Sequence, residues 1–260
     1  METTLIDTLG DRLYDAFVAR TAVAPLTSQH EDLAVHDAYR IQQRFIKRRL
    51  DAGETIVGKK IGVTSKAVMD MLGVYQPDFG YLLSGMVYGE GERIPLDTLI
   101  QPKAEGEIAF ILKHDLKGPG VTNAMVLSAT ECVMPCFEIV DSRIRDWKIK
   151  IGDTVADNAS CGVFVLGDKA VSPRRVDLAT CGMVLEKNGE VIGSGAGAAA
   201  LGSPVNAVAW LANTLGQFDI PLKAGEVILS GALAAMATIQ AGDSFRVSIG
   251  GIGACSVRFA

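Results

Sequence analysis

Apolar positions recur with a helical period at the start of the chain and with a strand period over most of the remainder. Leu5, Leu9, Leu13 and Phe17 stand four apart, which predicts an amphipathic helix over residues 4–20. A second helix is expected over 31–52. Leu33, Ala38, Ile41, Phe45 and Leu50 form its apolar side and Gly53 its stop. Its other side carries Arg40, Arg44, Lys47 and Arg48, read as a solvated face rather than a polyanion site because acidic residues flank it. Residues 55–64 predict a strand, Ser65 caps a short helix ending near Gly73, and Tyr75–Gly80 reads as a turn-rich loop. From residue 85 onward, short β segments dominate, the clearest at 107–113, 133–140, 163–166, 182–192, 226–229 and 244–249. Asn188-Gly189 splits one of them as a type I′ hairpin turn. One helix interrupts, with Ser203 as N-cap and Pro204 at its first position. The pattern is α+β: an N-terminal α/β region (1–84) with helices and the strand bearing Lys60, then a β-rich body (85–260), with no run of βαβ units.

Composition removes several function classes. At 260 residues with 48 % hydrophobic and 21 % charged side chains, the chain can bury a full core without staples. Its net charge of −5 argues against nucleic acid as a partner. It holds no transmembrane-length apolar run and its first residues lack a signal-peptide pattern, so a cytoplasmic protein is expected. Five cysteines without C-x-x-C read as buried thiols, and three dispersed histidines make a zinc site or a Ser-His-Asp triad improbable. Gly195-Ala196-Gly197-Ala198-Ala199-Ala200 matches a relaxed dinucleotide pattern but follows a hairpin strand, so close backbone packing is the better reading.

Carboxylates and lysines are left to do any chemistry. Glu105 and Glu107 are two apart at the entry to an apolar strand and share one of its faces. Glu138 lies inside another apolar segment, where a bare charge needs a partner. Together they would suit a hard cation such as Mg²⁺ or Mn²⁺. On spacing alone a second reading stays open: two solvent-facing edge acids, with Glu138 paired to Arg143 or Arg145. Lys60 shares its strand face with Gly58, Gly62 and Thr64, which leaves open space around it. It is either an exposed lysine or a partly desolvated acid–base group with its pKa lowered. Asp78 is a turn residue or its partner in a site. Val155–Ser160 and Ser230-Gly231 offer hydroxyls and flexible amides for a small anion, or simply turns.

Taken as a set, these motifs resemble the 2-hydroxypenta-2,4-dienoate (2-oxopent-4-enoate) hydratases, in the hydratase/decarboxylase branch of the fumarylacetoacetate hydrolase superfamily. The resemblance runs nearly end to end. It is carried by Gly58–Ser65, Gln76–Tyr81, Ala104–Phe110, Glu138–Arg143, Val155–Ser160 and Gly195–Pro204. It implies a C-terminal mixed β-roll, an incomplete barrel, and a divalent metal on Glu105, Glu107 and Glu138. It further implies Lys60 and Asp78 as catalytic residues, Ser160 and Ser230 near the substrate, and a homo-oligomer acting on a small 2-oxo/2-hydroxy dienoate in meta-cleavage degradation of aromatic compounds. A complex with 4-oxalocrotonate decarboxylase is compatible with it. That decarboxylase, on the same fold, is the competing activity, and a non-catalytic partner subunit of it the next. The Glu105-Gly106-Glu107 triplet and the Gln76–Tyr81 loop look more like the hydratase.

Overall fold

The structure, a computed structural model, describes all 260 residues. Two helices open the chain, α1 (Thr3–Ala19) and α2 (Val35–Asp51). They bury Leu9 and Leu13 of α1 with Ala38, Ile41 and Phe45 of α2. Each of the Leu, Ile and Phe side chains among them contributes about 1.5–3 kcal/mol on leaving water. Gly10 lets the helices close up, since a Cβ there would lie 2.6 Å from the Arg44 Cβ. The second helix begins four residues later than its periodicity suggests. Leu33 instead donates its N–H to the His30 carbonyl in a turn, which drops its side chain into the core. The basic side of α2 is not a free solvated face. Arg44 and Arg48 both reach Asp11 on α1 at 2.8 Å, and Arg40 reaches Asp37 at 3.0 Å. Only Lys47, paired with Asp51 of its own helix, is mainly exposed.

Thirteen strands follow: β1 (Ile56–Gly62), β2 (Asp78–Leu83), β3 (Val87–Tyr88), β4 (Arg93–Ile94), β5 (Pro102–Leu112), β6 (Thr130–Asp141), β7 (Cys161–Leu166), β8 (Gly182–Lys187), β9 (Glu190–Ala196), β10 (Val227–Leu229), β11 (Ala237–Thr238), β12 (Ser244–Ile249) and β13 (Gly253–Phe259). Eight form a curled mixed sheet, ordered β2-β1-β10-β5-β6-β7-β3 with β11 on the end of β5. The other five form a second sheet, β4-β13-β12-β8-β9. The sheets face each other through contacts such as Phe137 against Phe245, edge to face with centroids 6.4 Å apart. β1 and β2 belong to the same sheet as β5–β7, so the sheet runs across position 84 without a break. This is the α+β mixed roll expected from the sequence.

Local signals act as read at several points. Ser65 accepts the Val68 N–H and Gly73 closes α3 (Lys66–Leu72) in the left-handed region. Asn188 and Gly189 both have positive φ, as a type I′ turn requires. Ser203 caps α6 (Pro204–Gly216). A Cβ at Gly195 or Gly197 would lie within 2 Å of the Leu233 or Leu178 carbonyl oxygen, so those glycines serve close packing. All five cysteines are free thiols, four buried and Cys132 half-buried. The sequence predicts neither of two short helices, α4 (Asn123–Ala129) and α5 (Ile151–Ala156), and the second takes in Val155 and Ala156 from the segment read as a turn. From Gly152 on, every residue of α5 is buried, so it shows no polar face to set a period.

Candidate active site

The antiparallel register of β5 and β6 sets Glu105 directly opposite Glu138, with Glu107 two residues further along the same face. Between them Gly106 faces the second sheet, where a Cβ would lie 2.8 Å from a Val247 methyl carbon. That alternation accounts for the acid–glycine–acid triplet. Glu105 and Glu107 sit within β5 rather than at its entry, and all three acids are buried. One carboxylate oxygen from each lies within 4.8 Å of the others. Glu107 accepts a hydrogen bond from the Gly231 N–H at 2.7 Å, but its second oxygen and both Glu138 oxygens receive no hydrogen bond. Buried carboxylate oxygens without donors are costly. Three such groups in one place, with oxygen donors alone, fit a hard divalent cation.

Lys60 joins this cluster from three strands away. A flat sheet would separate β1 from β6 by about 14 Å. The curl closes that gap, and Lys60 Nζ lies 3.1 Å from Glu138 Oε1. The approach lacks hydrogen-bond alignment, which leaves both Glu138 oxygens without a donor. Glu138 therefore pairs with Lys60 and not with Arg143 or Arg145; Arg143 is held by Asp157 instead. Asp78 is the first residue of β2, not a loop residue. Pairing of β2 with β1 across Gly62↔Asp78 and Lys60↔Gly80 overrides the turn tendency of Pro77 and Gly80. Gly62 makes room for both groups: a Cβ there would lie 2.2 Å from Asp78 Oδ1 and 3.3 Å from Lys60 Nζ. Asp78 Oδ2 accepts from the Thr154 hydroxyl at 3.0 Å, while Oδ1 has no partner.

The electrostatics follow from this crowding. Burial, then repulsion from Glu138, pushes Glu105 up to about 8, with Lys60 opposing. Burial and the two neighbouring acids raise Glu107 well above its ordinary value. Burial also raises Asp78, against the pull of Lys60. For Lys60, burial works to discharge the ammonium, but Glu138, Asp78 and Glu105 outweigh it and its pKa is raised. The expected lowering of Lys60 is thus reversed: the space around it holds carboxylates, and in the metal-free protein it is a charged, proton-rich group.

Lys60, Asp78 and Glu105 open into a narrow cleft that Ser160 also lines. Three of its walls are conformationally strained. Val63, Ala159 and Ser160 have φ of 56°, 50° and 52°, left-handed values that cost non-glycine residues about 1–3 kcal/mol each. Neighbouring groups hold the 157–160 segment in place. Asn158 clamps the Tyr81 backbone, accepting from its N–H at 2.7 Å and donating to its carbonyl at 2.9 Å. Asp157 accepts from the Arg143 backbone N–H at 2.9 Å and the Ser142 hydroxyl at 3.1 Å. Ser230 stands apart from the other candidates. Its hydroxyl donates to the Ile108 carbonyl at 2.8 Å and it does not line the cleft; the following Gly231 N–H is the group that meets Glu107. Thr154 and the apolar lining have no motif that marks them in sequence.

Residues 61–260 match the family model of the fumarylacetoacetate (FAA) hydrolase C-terminal domain. The chain belongs to the fumarylacetoacetate hydrolase family. Within it, the chain is 71 % identical over 221 residues to a 2-hydroxypent-2,4-dienoate hydratase of Pseudomonas putida, covering 85 % of this chain and 100 % of that one. It is 58 % identical over 256 residues to a 2-hydroxyhexa-2,4-dienoate hydratase of Comamonas testosteroni, covering 98 % and 97 %. Among solved structures it is similar to the 4-oxalocrotonate decarboxylase of Pseudomonas putida G7 complexed with magnesium and adipate, at a TM-score of 0.95 and 36 % identity, covering 100 % and 99 %. Family membership, the hydratase relatives and a buried all-oxygen triad agree with one another. No helix of the chain is long and apolar enough to cross a membrane.

Proposed function

We propose that this protein is a metal-dependent hydratase that adds water to 2-hydroxypenta-2,4-dienoate and releases 4-hydroxy-2-oxopentanoate. The observation that carries the reading is the buried Glu105–Glu107–Glu138 triad, with undonated oxygens, whose Glu105 lines a cleft together with Lys60 and Asp78. Glu105, Glu107 and Glu138 would hold a Mg²⁺ or Mn²⁺ ion, which would supply positive charge beside the substrate's carboxylate and 2-oxygen. The substrate's 2-hydroxyl proton leaves and a proton is delivered to C5, giving a conjugated 2-oxo-3-enoate. Water then adds at C4, its hydroxyl bonding there while a proton goes to C3. Lys60 and Asp78 are the groups that carry these protons: Lys60 is the proton-rich member, and Asp78 Oδ1 has an unused lone pair. Ser160 on the cleft wall offers a hydroxyl to the substrate. Ser230 supports the site indirectly, through the backbone that brings Gly231 to Glu107. The reading carries with it a homo-oligomer, a cytoplasmic setting in meta-cleavage degradation of aromatic compounds, and compatibility with a decarboxylase complex.

The overall shape is also that of the decarboxylase, so the test runs both substrates. The purified protein with Mg²⁺ is given 2-hydroxypenta-2,4-dienoate or 4-oxalocrotonate, with and without EDTA, and products are followed by NMR. EDTA-sensitive formation of 4-hydroxy-2-oxopentanoate is expected. Carbon dioxide from 4-oxalocrotonate, with no hydration of the dienoate, would reverse the assignment.

A further inference from the structure

The cleft also has an apolar lining that the proposed chemistry does not use. Val68, Val140, Ala232 and Met236 form a small buried hydrophobic cluster of their own, separate from the main core, with Leu72 and Trp147 packed against it. Its members come from α3, from β6 and from the segment after β10, which are distant in sequence. All but Ala232 line the cleft that Lys60, Asp78 and Glu105 enter. The Trp147 indole is fixed there, its Nε1–H donating to the Gln101 carbonyl at 2.9 Å. Lys60 is the only cationic side chain in the lining, and Glu138 and Asp78 already compete for it. Lys103, whose Nζ lies 4.4 Å from the centre of the Trp147 ring, is not part of the lining.

We infer that this satellite cluster is the specificity wall for the substrate's tail, selecting 2-hydroxy-2,4-dienoates that end in hydrogen or a short alkyl group and rejecting those that end in a second carboxylate. The inference rests on the proposed function, because it places the shared carboxylate and 2-oxygen at the acidic end. The physical basis is an asymmetry. A methyl group entering the cluster leaves water for apolar neighbours, whereas a carboxylate there is desolvated with no cation or donor to meet it. Each added methylene in such a pocket discriminates by about 10-fold or more, and a charge without a partner by more again. Leu72 is the adjustable member: it is half-buried on a short helix, so a longer polar side chain has a route to solvent.

The test measures binding as well as turnover. Dissociation constants for 2-oxohexanoate and 2-oxoadipate, which share the keto-acid head and differ at the tail, are determined calorimetrically with the Mg²⁺-loaded protein. The wild type is expected to prefer 2-oxohexanoate by at least about 10-fold. Leu72→Arg should narrow or reverse that preference, and Leu72→Ala should keep it while improving 2-oxoheptanoate relative to 2-oxohexanoate. Equal affinity of the wild type for the two tails would overturn the inference, as would a Leu72→Arg protein that stays folded with the wild-type ratio. Failure of the proposed function looks different: tight, tail-selective binding with no hydration of the dienoate leaves the wall standing and removes the reaction. Binding of neither ligand overturns both.

Discussion

Two groups of buried charges in this chain are built in opposite ways. Asp157 takes donors from the Arg143 side chain and backbone and from the Ser142 hydroxyl, and the Arg143 guanidinium spends its remaining N–H groups on the carbonyls of Asp141, Cys161 and Asp157. Lys59 and Glu226 form a second pair of this kind, at 2.6 and 2.7 Å, with the Lys223 N–H completing the carboxylate. In both, each carboxylate oxygen has a donor. The cluster of Glu105, Glu107 and Glu138 does the reverse: it gathers three acids around one lysine and leaves oxygens with nothing to accept from. A satisfied buried pair holds strands together and offers nothing to a ligand. An unsatisfied one carries repulsion and desolvation cost that a bound proton or an added cation removes. Adjacent lysines on β1 fall on opposite sides of this division, Lys59 in the first class and Lys60 in the second.

The sharpest way to break the contrast is Glu138→Gln. It should lower Mg²⁺ affinity by more than about 100-fold, beyond what loss of an outer partner of a ligand costs, and nearly abolish turnover. Calorimetry with Mg²⁺ and steady-state rates check both; a variant that binds Mg²⁺ normally removes the metal assignment. Lys60→Ala should lose about 10²–10⁴-fold in kcat and keep its metal. Its neighbour separates chemistry from support: Lys59→Met should cost stability and leave kcat within a few fold, measured by urea melts and steady-state rates. Asp157→Asn strands a buried guanidinium and should cost about 3–5 kcal/mol in urea unfolding, with Mg²⁺ affinity of the folded protein retained.

A more gradual effect concerns pH. Glu105 sits at about 8 in the folded metal-free protein against an ordinary 4.5. The folded state therefore binds the extra proton between those values. Its contribution to stability is fully present below 4.5 and is lost as pH rises through 8, at a slope of at most about 1.4 kcal/mol per pH unit. Melts in EDTA should fall across that window, while Mg²⁺ affinity should rise across it because binding expels the proton. A flat metal-free profile from pH 5 to 8 would contradict the crowding of the acids.

Much of this arrangement was legible in the chain, and the part that was not has a physical reason. Helix α1, the Ser65 and Ser203 caps and the Asn188-Gly189 turn are local signals, and local hydrogen bonding decides them. The acidic triplet was readable as two carboxylates on one strand face. The pairing of Glu138 with Lys60 was not, because it depends on the curl of a sheet across three strand spacings; spacing offered Arg143, which is nearer in sequence and committed elsewhere. Asp78 reads as a turn residue from Pro77 and Gly80 and becomes a strand residue only through pairing with β1. Strand β13 escaped although it alternates cleanly, Cys255, Val257 and Phe259 inward and Arg258 outward. The apolar wall from Val68 to Met236 has no sequence signature, since its residues meet only in the folded chain.

The measurement that goes most directly to the division between satisfied and unsatisfied charges is anomalous diffraction from crystals grown with Mn²⁺. A single strong peak is expected with carboxylate oxygens of Glu105, Glu107 and Glu138 at about 2.0–2.3 Å, and none beside Asp157 or Glu226. Absence of a peak at the triad under saturating Mn²⁺, or a peak at one of the satisfied pairs instead, would contradict the account.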